Sequence, residues 1–101
     1  MNTRIVKATS KHIKDVGILF DLYRQFYKYK SNPKASTNFI KQRIINKDST
    51  IFICYSNSLE AAGFVQLYET FDSLNINKKL ILYDLFVEKK YRRLGFARKL
   101  M

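Results

Sequence analysis

The chain has 101 residues, of which 47% are hydrophobic, 15% aromatic and 27% charged. This is enough apolar content for one packed core and too little length for two, so intrinsic disorder and a two-domain layout are excluded. Nineteen Lys and Arg against eight Asp and Glu give a net charge of +11, which points to an anionic partner such as nucleic acid, a membrane surface or a phosphate-bearing cofactor. A single cysteine, Cys54, rules out an internal disulfide framework, and with only one histidine, His12, no zinc set or other metal cluster is spelled out. Residues 1–7 lack the apolar core of a signal peptide, and no run approaches the roughly 20 apolar residues of a membrane span. The expectation is a soluble cytoplasmic protein without membrane contact.

Residues 4–8 read as a short strand, after which Thr9 or Ser10 offers an oxygen to cap a helix. From Ile13, the apolar positions Val16, Phe20, Tyr23 and Tyr27 recur every three to four residues, and Leu19, Leu22 and Phe26 widen the stripe. This predicts an amphipathic helix ending near Lys28, packed on a broad surface such as a sheet. Residues 30–34 form a loop around Pro33. Ser36 can cap a second, shorter helix ending about Lys47, with Phe39, Ile40 and Ile44 on its inner face. Residues 50–55 are a strand by β-branched and aromatic content, Asn57-Ser58 is turn chemistry, and 62–71 return as a longer strand. After a polar connection at 72–79, residues 80–87 are the most apolar run and read as a central strand buried on both faces. A basic block, Gly95 and the start of a helix follow. The expected class is mixed α/β, in the order β-α-α-β-β-β-α.

One constellation carries chemistry. Residues 85–98 place a strand, a basic turn and a helix N-terminus around Gly95, with six Lys and Arg between positions 89 and 99. The first N–H groups of a helix lack intrahelical partners and favour anions, and glycine lets a bulky anion approach the backbone. A glycine that merely closes a turn beside a solvated basic face is the bland alternative.

Arg92-Arg93-Leu94-Gly95-Phe96-Ala97 fits the Arg/Gln-x-x-Gly-x-Gly/Ala signature of the GCN5-related N-acetyltransferases (GNAT family). The chain resembles that family over essentially all its length, though only the N-terminal part of the family's domain. The first helix after Ala8-Thr9, the Ala62-Gly63-Phe64 strand opening and Tyr83-Asp84-Leu85-Phe86-Val87 before the signature fall in matching places. The texture is most similar to the branch of diamine and other small-amine acetyltransferases.

The resemblance implies an acyl-CoA N-acyltransferase fold, with acetyl-CoA as co-substrate and a primary amine of a small molecule or protein as acceptor. It implies that Arg92 and the loop Arg93, Leu94, Gly95, Phe96, Ala97 and Arg98 hold the cofactor's diphosphate. Leu85, Phe86 and Val87 would hold its pantetheine arm through their main chain. Phe26 and Tyr27 match the region that contacts the acceptor, and are equally readable as core aromatics. The basic loop at 28–34 would border that site and disfavours a highly cationic polyamine.

Two departures follow. Related amine acetyltransferases carry a glutamate on the cofactor strand where this chain has Tyr83. The carboxylates left to act as base are Asp84 and Glu69, each equally readable as a structural strand residue. Strict alternation lets at most one of Tyr83 and Asp84 face the acceptor. The family's tyrosine acid and the remaining strands lie beyond position 101, so the expectation is an incomplete domain. The 80–87 strand would then be an open edge, completed by a second chain, a swapped copy or a homodimer partner. A reading from another class is a non-enzymatic basic module binding nucleic acid or another polyanion, with Tyr68 and Phe71 as stacking residues.

Overall fold

A computed structural model of the protein describes residues 4–92, Arg98 and Leu100. Four strands form one antiparallel sheet in sequential order: β1 (Arg4–Lys7), β2 (Ser49–Tyr55), β3 (Ala61–Asp72) and β4 (Asn77–Val87). Helices α1 (Ile13–Phe26) and α2 (Pro33–Asn46) separate β1 from β2. They lie on one face of the sheet, α1 against β3 and β4, and α2 against α1 and β2.

Alternation along the strands sorts the core into two layers. Ile51, Ile53, Tyr55, Phe64 and Phe86 face the helices and close on Val16, Leu19 and Ile40. Cys54, Ala62, Val65 and Val87 face the other way and gather with Leu100. Two glycines mark close approaches. A Cβ on Gly17 would run into the Thr37 hydroxyl and lie 3.0 Å from Thr37 Cα, so this glycine brings α1 and α2 together. A Cβ on Gly63 would stand 2.6 Å from Phe86 O, where β3 and β4 pair.

The helix starts reflect local polar chemistry. Thr9 caps a single 3-10 turn (Ser10–His12) in a reciprocal box, with the Thr9 N–H donating to His12 Nδ1 at 2.9 Å. His12 is therefore spent on this cap. Ser36 does not cap α2. Asn32 does, its Oδ1 accepting from the Ala35 N–H at 3.2 Å, and Pro33 occupies the first turn, where its missing N–H costs nothing. The helix therefore begins three residues before Ser36.

The reading of 80–87 as a central strand buried on both faces is not borne out. Among the described residues β4 has no strand on its outer edge, and it runs from Asn77. Leu80, Ile81, Leu82 and Tyr83 are all exposed, whereas Phe86 and Val87 are buried. The two helices cover only the end of the β3–β4 hairpin that contains Asp84–Val87. Apolar content recorded β-propensity there, and burial was decided by how far the helices reach.

Candidate active site

The end of α1 builds one wall of a cavity. The helix closes in a Schellman turn: the Tyr29 N–H donates to Arg24 O and the Lys28 N–H to Gln25 O, with Lys28 left-handed at φ 68°. This turn reverses the chain and sets Tyr29 opposite Tyr23 and Tyr27. The cavity, about 600 Å³, lies between this corner, α2 at Phe39, and the sheet at Tyr68, Tyr83 and Asp84. That volume falls within the roughly 300–1,000 Å³ usual for small-molecule sites.

The corner is held from beneath by Asp21, a carboxylate only 4% exposed. Its Oδ1 accepts from the Asn32 N–H and Ser36 Oγ, both at 2.8 Å. Its Oδ2 accepts from Ser31 Oγ at 2.7 Å and Gln25 Nε2 at 2.9 Å. Burial works to raise its pKa, but these four donors outweigh it and hold the group below the ordinary aspartate value.

Asp84 borders the cavity from β4. Tyr23 Oη donates to its Oδ1 at 2.8 Å and Gln66 Nε2 to its Oδ2 at 2.8 Å. Gln66 is fully buried, and its Oε1 in turn accepts from Ser49 Oγ at 2.8 Å. Every polar atom of that relay therefore has a neighbour that fixes its orientation. The Tyr23 hydroxyl is pushed well above its ordinary pKa by burial, by the hydrogen bond to Asp84 and by that residue's charge, and remains a donor. Burial and the same charge raise Tyr68.

Strict alternation would have turned Tyr83 away from Asp84. Instead, Gln66 pairs with Asp84 and Leu67 with Leu82, so Tyr83 is an extra residue in β4. This bulge bends the strand and brings both side chains to the same cavity. The Tyr83 ring meets that of Tyr68 edge-on, with centroids 5.2 Å apart. Glu69 points elsewhere and pairs with Lys78 at 3.0 Å.

A second, smaller cleft of about 220 Å³ runs on from the first, sharing Tyr23 and Tyr27 and bordered by Phe26, Leu85–Val87 and Arg92. The Glu88 N–H bonds Ala62 O, so by the alternation of an antiparallel ladder Phe86 turns its amide inward to Phe64, while Leu85 and Val87 turn theirs to the open edge. Arg92 Nε donates to Val87 O at 2.8 Å, and its guanidinium lies 5.1 Å from the Phe26 ring centre and 5.5 Å from that of Phe86. Phe26 and Tyr27 are 57% and 59% exposed, so neither is a core aromatic. Arg98 is helical and exposed. Arg93, Leu94, Gly95, Phe96 and Ala97 lie outside the described residues.

Sequence reasoning missed Tyr23, Gln66, Tyr68 and Tyr83 as members of this site. Gln66 did leave a signal, a polar residue in the inward register otherwise held by Phe64. Tyr23 left none, because an aromatic on an amphipathic stripe reads as core.

The model of the acetyltransferase (GNAT) family matches residues 17–101. The chain belongs to the GNAT family. It is 37% identical over all 101 residues to an uncharacterized N-acetyltransferase, YhfO, of Bacillus subtilis, and spans 66% of that protein. It is 32% identical over 84 residues, or 83% of the chain, to a probable acetyltransferase of Haemophilus influenzae, of which it spans 58%. A crystal structure of a probable acetyltransferase superposes with a TM-score of 0.90 at 37% identity, over 96% of this chain and 65% of that one. The mixed α/β fold expected from the sequence is thus that of solved GNAT acetyltransferases. Among the described residues no helix is long and apolar enough to cross a membrane, and no His, Cys, Asp or Glu group is arranged to hold a metal.

Proposed function

We propose that this GNAT protein transfers the acetyl group of acetyl-CoA to a primary amine of a small molecule, with Asp84 as the proton acceptor. The observation that carries the reading is one oriented carboxylate that lines the larger cleft and directly precedes the strand segment bordering the smaller one. One cleft is lined by side chains, and the other runs along Leu85–Val87, where Leu85 and Val87 turn their N–H groups to the edge. The second fits the pantetheine arm, because a strand edge with alternate amides directed outward is matched by the amide groups of that arm. Arg92, and the basic residues up to Arg98, would lie at the diphosphate end.

Acetyl-CoA supplies an activated acyl carbon. Asp84 takes the proton from the incoming ammonium, directly or through one water, so that the amine nitrogen has a free electron pair. The amine nitrogen adds to the acyl carbon, and the C–S bond breaks as the resulting tetrahedral intermediate collapses. The second nitrogen proton passes through solvent to the departing thiolate, leaving an amide and a free thiol. An outward N–H of β4 stabilises the oxygen of the tetrahedral intermediate. Tyr23 and Gln66 keep Asp84 aimed throughout. Glu69, tied to Lys78 outside the cavity, is not assigned a part.

A nucleic-acid surface gains no support. Tyr68 and Phe71 are three residues apart on β3 and so fall on opposite faces, where they cannot form one stacking platform. Calorimetric titration with acetyl-CoA, using ATP as an anion control, tests the cofactor half of the proposal. Saturable binding that ATP does not reproduce is expected. Binding that ATP matches and salt abolishes would leave only a basic surface.

A further inference from the structure

We propose that the acceptor is a monoamine with an aromatic body, its ammonium group at Asp84 and its ring among the tyrosines of the larger cavity. This rests on the reading of that cavity as the acceptor site. Tyr27, Tyr29 and Tyr83 are 59%, 63% and 68% exposed, and all three border this one space. Large rings left open toward a common cavity are uncovered apolar area, and a flat ligand would cover them. Tyr68 and Tyr83 meet at 90°, presenting one face and one edge to whatever lies between them and α1. A protonated amine approaching Asp84 passes these ring faces, which attract a cation.

The charges limit the acceptor to one ammonium. Among the described residues Asp84 is the single carboxylate bordering the cavity. The neighbouring Asp21 is closed off by its four donors. At the rim the Arg24 guanidinium sits 5.4 Å from the Tyr29 ring centre, and Lys28 and Lys30 flank Tyr29 in the chain. The second positive charge of a diamine or polyamine would meet Arg24, which borders the cavity and whose carboxylate neighbour Asp21, 3.9 Å away, is already shared among its other donors. The body of the acceptor is therefore apolar, and the diamine texture of the sequence does not carry over to its substrate.

The chain has no tryptophan, and five of its seven tyrosines (Tyr23, Tyr27, Tyr29, Tyr68 and Tyr83) border this cavity. Intrinsic tyrosine emission thus reports its occupancy directly. The 101-residue protein is titrated at neutral pH, without acetyl-CoA, with phenethylamine, 2-phenylethanol and spermidine. Phenethylamine is expected to saturate with a dissociation constant at least about tenfold below those of the other two. Asp84→Asn should erase the difference between the amine and the alcohol while leaving the alcohol's affinity unchanged. Tyr83→Ala, at an exposed position, should keep the parent far-UV circular dichroism and weaken phenethylamine by about threefold or more. Spermidine binding as tightly as phenethylamine, equal affinity for amine and alcohol, or no saturable binding would each overturn the proposal. The titration contains no acetyl donor, so binding and reaction are read separately. In a second assay with acetyl-CoA added, phenethylamine that binds as expected but is never acetylated would refute the reaction and not the ligand class. Faster transfer to spermidine would do the reverse.

Discussion

Replacing Asp21 with alanine removes the one acceptor shared by four donors under the α1–α2 corner. The Ser36 hydroxyl is the most exposed to the consequences, because its residue is only 2% accessible and water cannot replace the lost partner. A buried donor left unsatisfied costs about 1–3 kcal/mol, and the lost charge-assisted bonds to Asn32 and Ser31, which water can partly replace, add about 1 kcal/mol more. The expected loss is about 3 kcal/mol, large beside the roughly 5–15 kcal/mol of a whole domain. Asp21→Asn should cost less, about 1–2 kcal/mol, because its remaining carbonyl oxygen still serves Asn32 and Ser36 and the Ser31 hydroxyl can turn to accept.

The pH dependence separates these effects. Asp21 has a folded pKa below its ordinary 3.8, so its contribution is complete above that value and is lost as pH falls through the lower folded one. The asparagine variant lacks that loss. Urea denaturation followed by circular dichroism at pH 7 and near pH 3 measures both quantities. An alanine variant within about 1 kcal/mol of the parent at pH 7 would refute the reasoning, as would an asparagine variant that loses as much stability on acidification as the parent.

Three further outcomes follow from contacts elsewhere. Gly63→Ala drives a methyl toward Phe86 O at 2.6 Å, and should cost about 2 kcal/mol or more in denaturation while weakening acetyl-CoA binding through the displaced strand. Gly17→Ala should cost about 1–3 kcal/mol by pushing Thr37 away, and the added change Thr37→Ala, which deletes the clashing hydroxyl, should restore part of it in a double-mutant cycle. Tyr55 donates to Asp15 Oδ2 at 2.7 Å, and burial together with this bond and charge lifts its pKa to about 12. Its stabilising effect is present below pH 10 and lost as pH rises through about 12, so Tyr55→Phe should flatten the alkaline loss of stability and remove one late step from an absorbance titration of the tyrosines.

Much of the architecture was legible because local periodicity and burial agree there. The 3.6-residue stripe from Val16 to Tyr23 faces the sheet as its spacing requires, and the alternation in β2 sends Ile51 and Ile53 one way and Cys54 the other. Reading failed where the outcome depends on contacts distant in sequence. Pro33 looked like a helix breaker until Asn32 is seen to cap the helix it opens. The run at 80–87 was apolar enough for a buried strand, yet its outer half lies beyond the reach of α1 and α2.

The site divides in the same way. Asp84 was legible as a carboxylate within an apolar strand, and the signature at 92–97 named the family that the matching relatives bear out. The bulge at Tyr83 was not legible, because a one-residue slip in pairing leaves no mark in composition. Nor was the aromatic cavity. Its rings come from both helices, a turn and two strands, and only the Schellman corner and the bulge bring them together.

Steady-state acetyl transfer by the parent and by Asp84→Asn, measured with phenethylamine across pH 6–9, tests the assignment of the base most directly. The substitution preserves shape and the contact with Tyr23 while removing the proton acceptor. The turnover rate should fall about 10²–10⁴-fold, the range a positioned general base contributes, with acetyl-CoA affinity unchanged. A variant that turns over at the parent rate, with the same pH profile, would show that the proton leaves by another route and that Asp84 only holds the strand.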